Sequence, residues 1–503
     1  MAESYGGFME HGTSFSIRSA AILSLLKKES NDASVTYCEH KPNIERWILA
    51  WPESPDSVIA HRLSEHLQLR EVLLLDSITD QSYLQRFGEA QRRYYPGGFS
   101  GYDKCGNVVW IEPTGQLDIR GLVHSSSCRE FLMRKIYDAA FIQFLVSQKE
   151  KTIGSRLGLI MIMDFEGLTR SQIWLPAMKI YITVVTLMQD HFPELLQRIY
   201  MIKAPAVMSV AYRIVQPFLS YTTRQKVTVL GSDWKERLLE LIESDQLPDF
   251  WGGSQHYQHS STVGSAVSTG SINMGGTVPE TLYYVNSNDY TEDANRFRGI
   301  SKFNLVDQIP GVCTYSAVTC VGRGAKVEIP IFVELKRGRH TWLKWLVKTD
   351  DGDINFGFVL RKNKLPGTSC SGSVTARLAS NHSQTSDMNG ANDDIYVDTR
   401  PPQVSDYRQI RQSRTCSGLY SNTSSSSVGV TAEEADTVVV YSFRTNCSFV
   451  PDKGSYDLSQ ALERTDEVAD TARWLILVID NSHSWMRSKR ISYLVDIVSA
   501  HDS

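Results

Sequence analysis

The sequence predicts an α/β domain preceded by a helical segment and followed by an all-β domain. Three observations lead there. Residues 15–93 carry apolar residues at helical spacing, as in "IRSAAILSLLKK", "NIERWILAW" and "DSVIAHRLSEHLQLREVLL". From residue 106 the short apolar runs "NVVWIEP", "LGLIMIMDF", "RIYMIKAP" and "KVTVLG" alternate with the helical stretches "REFLMRKIYDAAFIQFLVSQ" and "WLPAMKIYITVVTLMQDHF". Continuous apolar strands separated by helices predict a largely parallel sheet covered on both faces. Beyond a Gly/Ser/Thr-rich break come only β-type runs, from "KVEIPIFVEL" and "TWLKWLVKT" to "ARWLILVID" and "ISYLVDIV", which predict a β-sandwich.

Taken in order, residues 15–93 form a helical subdomain, punctuated by Pro52 and Pro55. Residues 94–253 form the α/β lobe, with "DWKERLLELI" as a further helix. Residues 254–280 read as a linker. Residues 281–499 form the β domain, interrupted at 362–435 by a stretch rich in Ser, Thr, Asn and Asp that has too few large apolar residues to join a core. The stretch "PGGFSGYDKCG", residues 96–106, reads as a turn. It precedes a strand rather than a helix, so it offers no helix N-terminus to a phosphate.

With 503 residues, 42% hydrophobic and 21% charged, the chain has the composition of a soluble protein able to bury a large core. Its net charge of −4 gives no whole-chain attraction to nucleic acid, and no nucleic-acid partner is expected. The eight cysteines are scattered without a C-x-x-C, which points to neither a metal nor a redox site and fits a reducing, cytoplasmic setting. The N-terminal residues are polar and lack a signal-peptide layout, so the N-x-S/T triplets at Asn381, Asn422 and Asn446 read as chance.

Nucleophile elbows, P-loops, dinucleotide fingerprints and zinc-protease motifs are all missing from the sequence. The best enzyme candidate is "MDFEG", where Asp164 and Glu166 end an apolar strand, a place where α/β active sites often lie. The competing reading is a strand-to-helix turn with Asp164 capping and Gly167 supplying permissive backbone; it is preferred because no third group accompanies the pair. No enzymatic activity, catalytic residue, metal or cofactor is therefore expected. A different anomaly lies in "HFPELLQRIYMIKAPAVMSVAYRIVQPFL", residues 191–219. One helical stripe holds Val207, Val210, Ala211, Ile214 and Phe218, and the next holds Met208, Tyr212, Val215 and Leu219. A helix apolar nearly all round is buried in a core or faces lipid.

Long blocks carry a family resemblance. "GGFSGYDKCGNVVWIEPTGQLDIRGL", "IMIMDFEGL" and "FPELLQRIYMIKAPAVMSVAYRIVQPFLSYTTRQKVTVLGSDWKERLLELIESDQLPDFWGG" resemble the CRAL-TRIO lipid-binding proteins. "LKWLVKTDDGDINFGF" and "LVIDNSHSWMRSKRISYLVDIV" look like a C-terminal GOLD domain. The pairing resembles the animal Sec-fourteen-like subfamily of supernatant protein factor and tocopherol-associated protein. The resemblance implies a CRAL-TRIO lobe with an N-terminal helical subdomain, followed by an all-β GOLD sandwich.

It also implies that the helix over residues 206–218 is a gate over an apolar pocket, with Pro205 starting it and Pro217 ending or kinking it. By strand and helix facing, the pocket residues expected are Ile160, Ile162, Trp174, Tyr181, Val207, Ile214 and Phe218. The headgroup pattern of phosphatidylinositol-binding members falls on Glu194, Thr223 and Lys226, with Arg46 from the helical subdomain; a second Arg of that pattern is Leu49 here. The polar pair of phosphatidylcholine binders is replaced by Leu159 and Met161, which favours a more apolar ligand. The implied function is to bind a phosphatidylinositol-like phospholipid, tocopherol or sterol precursor and to transfer or present it at membranes. The expected location is cytoplasmic with transient attachment to the Golgi or another endomembrane, and a protein partner is expected through the GOLD domain. The alternative is a trafficking adaptor that acts through the GOLD domain without lipid exchange.

Overall fold

A computed structural model describes residues 8–29, 35–256, 272–300, 312–335, 339–350, 352–361, 437–463, 471–484 and 487–499. The helical segment folds as α1 (Phe8–Glu29), α2 (Val35–Glu39), α3 (Lys41–Ala50), α4 (Asp56–Val72) and α5 (Glu89–Tyr94). Ile22 and Leu26 of α1, Ile44 and Trp47 of α3, and Ile59 and Leu63 of α4 bury one apolar cluster. Pro42 lies in the first turn of α3, where its missing N–H costs nothing.

The lobe's sheet runs in the order β1 (Gly98–Tyr102), β2 (Val108–Glu112), β3 (Leu159–Asp164), β4 (Leu196–Ile202), β5 (Val227–Val229). β1 is antiparallel to β2, and the remaining neighbours are parallel. The turn expected over 96–106 is thus shorter than its glycines suggested. Gly98–Tyr102 pairs as a strand, because Gly101 lets Gln246 approach to where a Cβ would sit 2.6 Å from its Oε1. The turn itself is confined to Asp103–Asn107, where Asp103 Oδ1 accepts from the backbone N–H groups of Cys105 (2.9 Å) and Asn107 (2.7 Å).

α6 (Ile119–Ser125) and α7 (Cys128–Ile153) connect β2 to β3, α8 (Leu175–His191) connects β3 to β4, and α9 (Met208–Val215) and α10 (Tyr221–Gln225) connect β4 to β5. Ser127 and Glu130 form a reciprocal capping box at the start of α7, and Gly154 ends that helix in the left-handed conformation. One sheet face, with Val108, Trp110 and Leu159, packs on Leu132, Ile136 and Phe141 of α7 and Leu187 of α8. The other face, with Val109, Ile111, Ile160, Ile162 and Ile202, packs on Trp234 and Leu238 of α11 (Trp234–Leu241) and on Trp251.

Of the expected linker, residues 257–271 lie outside the described residues. Its far end is part of the lobe. Ile272 and Val278 are buried, Asn273 exchanges backbone hydrogen bonds with Gly97, and the Val278 N–H donates to Asp118 Oδ2 at 3.0 Å. Three apolar residues in an otherwise polar stretch (Ile272, Met274, Val278) anchor it against the sheet and α6.

After α12 (Asn288–Ile300), the second half forms β6 (Val312–Val321), β7 (Lys326–Leu335), β8 (Thr341–Thr349), β9 (Asp353–Arg361), β10 (Thr437–Asn446), β11 (Asp452–Asp457), β12 (Thr471–Asp480) and β13 (Lys489–Ser499). They make two antiparallel four-stranded sheets, ordered β10-β9-β12-β7 and β11-β8-β13-β6. Alternate residues of both sheets, including Val333, Leu343, Phe356, Phe358, Leu477 and Val495, fill the space between them. The stretch 362–435 lies outside the described residues.

The outer face of the first sheet docks on the lobe through Val359, Val438, Ile476 and Val478, which cover Val72 of α4. Arg129 of α7 fixes the junction. Its Nε donates to Asp452 Oδ2 at 2.7 Å, Nη1 to the Tyr441 carbonyl at 2.9 Å and Nη2 to the Phe356 carbonyl at 3.3 Å. The guanidinium also lies over the rings of Phe356 and Phe443. Replacing Arg129 by Met leaves the buried Asp452 carboxylate, among the described residues, with only the Trp345 Nε1 side-chain donor at 3.0 Å. Thermal or chemical unfolding of the full chain should show a loss of about 3–5 kcal/mol; an unchanged midpoint would show that Asp452 is not committed to this pair.

Two histidines at the same junction set an acid sensitivity. His66 is fully buried among Tyr37, Trp47, His191 and Phe192, and neither ring nitrogen meets a hydrogen-bond partner among the described residues. Burial drives the His66 pKa well below its ordinary value and pushes His191 down to about 4. Both titrate near 6.5 in the unfolded chain, so between about pH 6.5 and 4 the unfolded state binds more protons. Stability should be full above that window and fall as pH drops through it. The melting temperature of His191→Phe should lose less between pH 7 and pH 5 than the wild type's; an equal loss in both proteins would rule His191 out.

Candidate functional site

The sheet face that meets α8 is covered at a distance. A cavity of about 1270 Å³ lies between Trp110, Leu159, Met161, Met163, Ile199 and Met201 on the strands and the helices α8 and α9. α8 contributes Tyr181, Val184 and Met188, and α9 contributes Met208, Ala211, Tyr212 and Val215. The latter four follow the i, i+3, i+4, i+7 spacing of one helical face. The opposite face of α9 and the turn after it leave Val210, Ile214 and Phe218 exposed. The helix spans 208–215 and gives way to a 3₁₀ turn over Gln216–Phe218, where Pro217 cannot continue the α-helical ladder.

The expected pocket residues divide accordingly. Tyr181 lines the cavity. Ile160 and Ile162 do not; they face the opposite side of the sheet, against Trp234, Leu238 and Trp251. Their neighbours Leu159, Met161 and Met163 are the lining residues. Trp174 lies outside, with its ring 5.4 Å from that of Phe449 and stacked near His124. Val207 precedes α9 and is not in the wall, and Ile214 points outward at 37% exposure. Phe218 reaches the rim but is 47% exposed. The physical reason is shared. β3 is apolar on both faces because both are covered, and α9 is apolar on both stripes, so neither pattern has a polar reference to say which side is inside.

The cavity also has a polar corner that the sequence reading missed. Lys135 Nζ donates to Glu112 Oε2 at 2.6 Å, both side chains are largely buried, and Tyr95 and Tyr181 stand beside them. Burial, reinforced by the Glu112 charge, pushes the Tyr181 hydroxyl well above its ordinary range, and burial pushes Tyr95 up to about 12. Glu112 at the end of an apolar strand and Lys135 inside an apolar helical stretch are the sequence signals that mark it.

Of the expected headgroup residues, three come together at the rim. Lys226 Nζ donates to Glu194 Oε2 at 2.7 Å. Thr223 donates through Oγ1 to Gln189 Oε1 at 3.3 Å, and Ser220 lies 2.8 Å from Thr223 Oγ1. All five residues line the cavity. Gln189 and Ser220 are additions to the expected set. Glu194 sits in the left-handed region at φ 51°, which turns its carboxylate toward Lys226. Arg46 is not part of this group. It is buried on the far side of α3, where it pairs with Glu150 and donates to the Leu157 carbonyl at 2.8 Å. Glu150, near the end of α7, is the buried carboxylate that claims it.

Asp164 and Glu166 behave as a turn. Asp164 accepts from Trp251 Nε1 at 3.0 Å and from the Glu166 N–H at 3.0 Å, and Lys203 Nζ neutralises both carboxylates at 3.1 and 2.6 Å.

Comparison with known proteins agrees with this architecture. Residues 92–253 match the family model of the CRAL/TRIO domain. The chain is similar to Protein real-time of Drosophila pseudoobscura pseudoobscura, 28% identical over 236 residues, or 46% of this chain and 33% of that protein. It is also similar to a CRAL-TRIO domain-containing protein of Caenorhabditis elegans, 25% identical over 263 residues, 52% of this chain and 33% of that one. The chain thus spans about a third of the length of these relatives. The crystal structure of Sfh5 aligns with a TM-score of 0.33 and 18% identity, covering 46% of this chain and 83% of that one. Residues 92–253, which hold the parallel sheet and the cavity, are thus the part of the chain similar to the CRAL/TRIO domain.

The two sheet faces can be told apart experimentally. Ile162→Ala opens a hole in a packed core and should cost about 2–5 kcal/mol in chemical denaturation while leaving uptake of an apolar dye unchanged. Met161→Ala, at the half-buried wall of an existing void, should cost less and alter dye uptake. The reverse assignment of effects would place the cavity on the other face.

Proposed function

We propose that this chain binds a hydrophobic lipid in the cavity between its sheet and α8–α9, and transfers or presents that lipid at membranes. The observation that carries the reading is a cavity larger than the roughly 300–1,000 Å³ usual for small-molecule pockets, closed on one side by a short helix apolar on both faces. A two-chain phospholipid exposes on the order of 30 methylenes at about 0.8 kcal/mol each, so a carrier must bury nearly all of them. A helix with one apolar face toward the cargo and another toward solvent suits a wall that moves: the outer stripe meets the bilayer when the inner one lets go. The ligand range inferred is a phosphatidylinositol-like phospholipid, a tocopherol or a sterol precursor, held by lipid contacts without a further cofactor. Glu194, Thr223 and Lys226 are the inferred headgroup contacts. Attachment to membranes, the Golgi or another endomembrane among them, would be transient from a cytoplasmic pool. Among the described residues, no helix is long and apolar enough to cross a bilayer.

We further infer that the two antiparallel sheets of the second half form a GOLD-like module that binds a protein partner. The support is the sequence blocks quoted above, which fall on β8–β9 and on β12–β13.

Lipid extraction and mass spectrometry of the full chain, purified without detergent, test the central reading; close to one lipid per chain is expected. A folded, empty protein would leave the adaptor alternative in its place. The two faces of α9 should separate under mutation. Tyr212→Asp puts an unpaired charge into the cavity and should abolish cargo retention. Ile214→Asp should keep the cargo and slow vesicle-to-vesicle transfer severely. Equal behaviour of the two variants would show that α9 is not a two-faced wall.

A further inference from the structure

The cavity does not end inside the CRAL-TRIO lobe. Its wall continues onto the β sandwich through Asn355 of β9, Ser442 of β10 and His483 beyond β12. The outer face of that sheet has two textures. Its apolar part covers α4, as described above, and its polar part lies over the cavity. Asn355 is cross-strand neighbour to Arg444 on one side and Asp480 on the other, so the three share a row. Ile354 and Phe356 point into the sandwich core, which turns Asn355 outward.

A β-bulge delivers Ser442. The β10–β9 register jumps between Val440 and Phe443, leaving Tyr441 and Ser442 outside the regular ladder. Gly357 makes room for it: a Cβ there would lie 2.6 Å from the Val440 carbonyl oxygen and 3.1 Å from Ser442 Cα. Tyr441 uses the displacement to reach His191 at the end of α8, with its hydroxyl 3.5 Å from Nε2.

Each of these three wall residues holds a polar atom that is shielded from solvent and meets no partner among the described residues: Asn355 Oδ1, Ser442 Oγ and His483 Nδ1. Buried polar atoms left unpaired are rare, and three on one wall of one cavity call for an occupant. Their chemistry selects it. His483 Nε2 lies 3.2 Å from the Asp353 carbonyl oxygen, an acceptor, so Nε2 carries the hydrogen. Burial and the neighbouring Arg444 charge keep the ring neutral, so Nδ1 presents a lone pair. Asn355 Oδ1 is a second acceptor, and the Ser442 hydroxyl gives or takes. These residues therefore ask for a hydrogen-bond donor, and the cation beside them, Arg444, is engaged with Asp353.

We propose that Asn355, Ser442 and His483 form a second polar subsite, at the seam between the lobe and the β sandwich, that takes a neutral hydroxyl group of the bound lipid. The inference rests on the lipid-cavity reading above. It makes the β sandwich part of the binding site rather than an appended module.

The test uses the full chain and two fluorescent probes, a pyrene-labelled long-chain alcohol and its methyl ether, which cannot donate. The wild type should bind the alcohol roughly tenfold more tightly than the ether, the scale of leaving buried acceptors unpaired. In Asn355→Ala/Ser442→Ala that preference should fall to about one with the ether affinity unchanged. Ser442→Ala alone, which removes a single oxygen and endangers no fold, should lower it part way. A preference that survives the double variant, or a double variant that loses both probes equally, overturns the seam subsite and leaves the lipid-cavity reading standing. A wild type that takes neither probe sinks the cavity reading and the subsite with it.

Discussion

A sheet with parallel strands must have both faces covered, and in this molecule one face is covered without being filled. α11 and Trp251 press directly on Ile160 and Ile162, whereas α8 and α9 leave a cavity beside Leu159, Met161 and Met163. The rest of the lobe reads as a consequence. The long capped helix α7 and the packed far face supply a rigid frame, and the thin side is entrusted to the eight-residue helix α9 between Pro205 and Pro217.

The junction with the β sandwich belongs to the same frame. Arg129 leaves the lobe's central helix and spends its three donors on the second half, two of them on backbone carbonyls of adjacent strands. Bonds to backbone fix where a sheet lies as well as that it binds. The sheet is thereby held with its apolar patch over α4 and its polar row over the cavity. On the proposed function, a binding site that crosses this seam would couple the position of the β sandwich to what the cavity can hold.

Element type was largely legible in the chain, as was the order of the halves. The alternation of apolar runs with helical stretches between residues 106 and 231 gave the α/β lobe, and the change to strands alone gave the sandwich. Asp164 and Glu166 make the turn their motif suggested, and Glu194, Thr223 and Lys226 come together at the rim with Lys226 paired to Glu194. Pattern failed where both sides of an element are apolar. Ile160 and Ile162 were chosen over Leu159 and Met161, and Val207, Ile214 and Phe218 over Met208, Ala211, Tyr212 and Val215, because hydrophobicity reports burial or contact with lipid and not which apolar side is which.

What the sequence by itself determined, then, is periodicity, and with it the kind of each element and the class of domain. Tertiary structure alone decided facing and company. Arg46 goes to Glu150 because α3 packs against the end of α7, and Ile272 and Val278 turn the end of a polar stretch into part of the lobe. Asn355, Ser442 and His483 lie far along the chain from the cavity's strands, and no local pattern announces that they share its wall. Those pairings depend on distances between elements that only the closed fold sets, since a side chain's partner is fixed by packing across the chain and not by its neighbours along it.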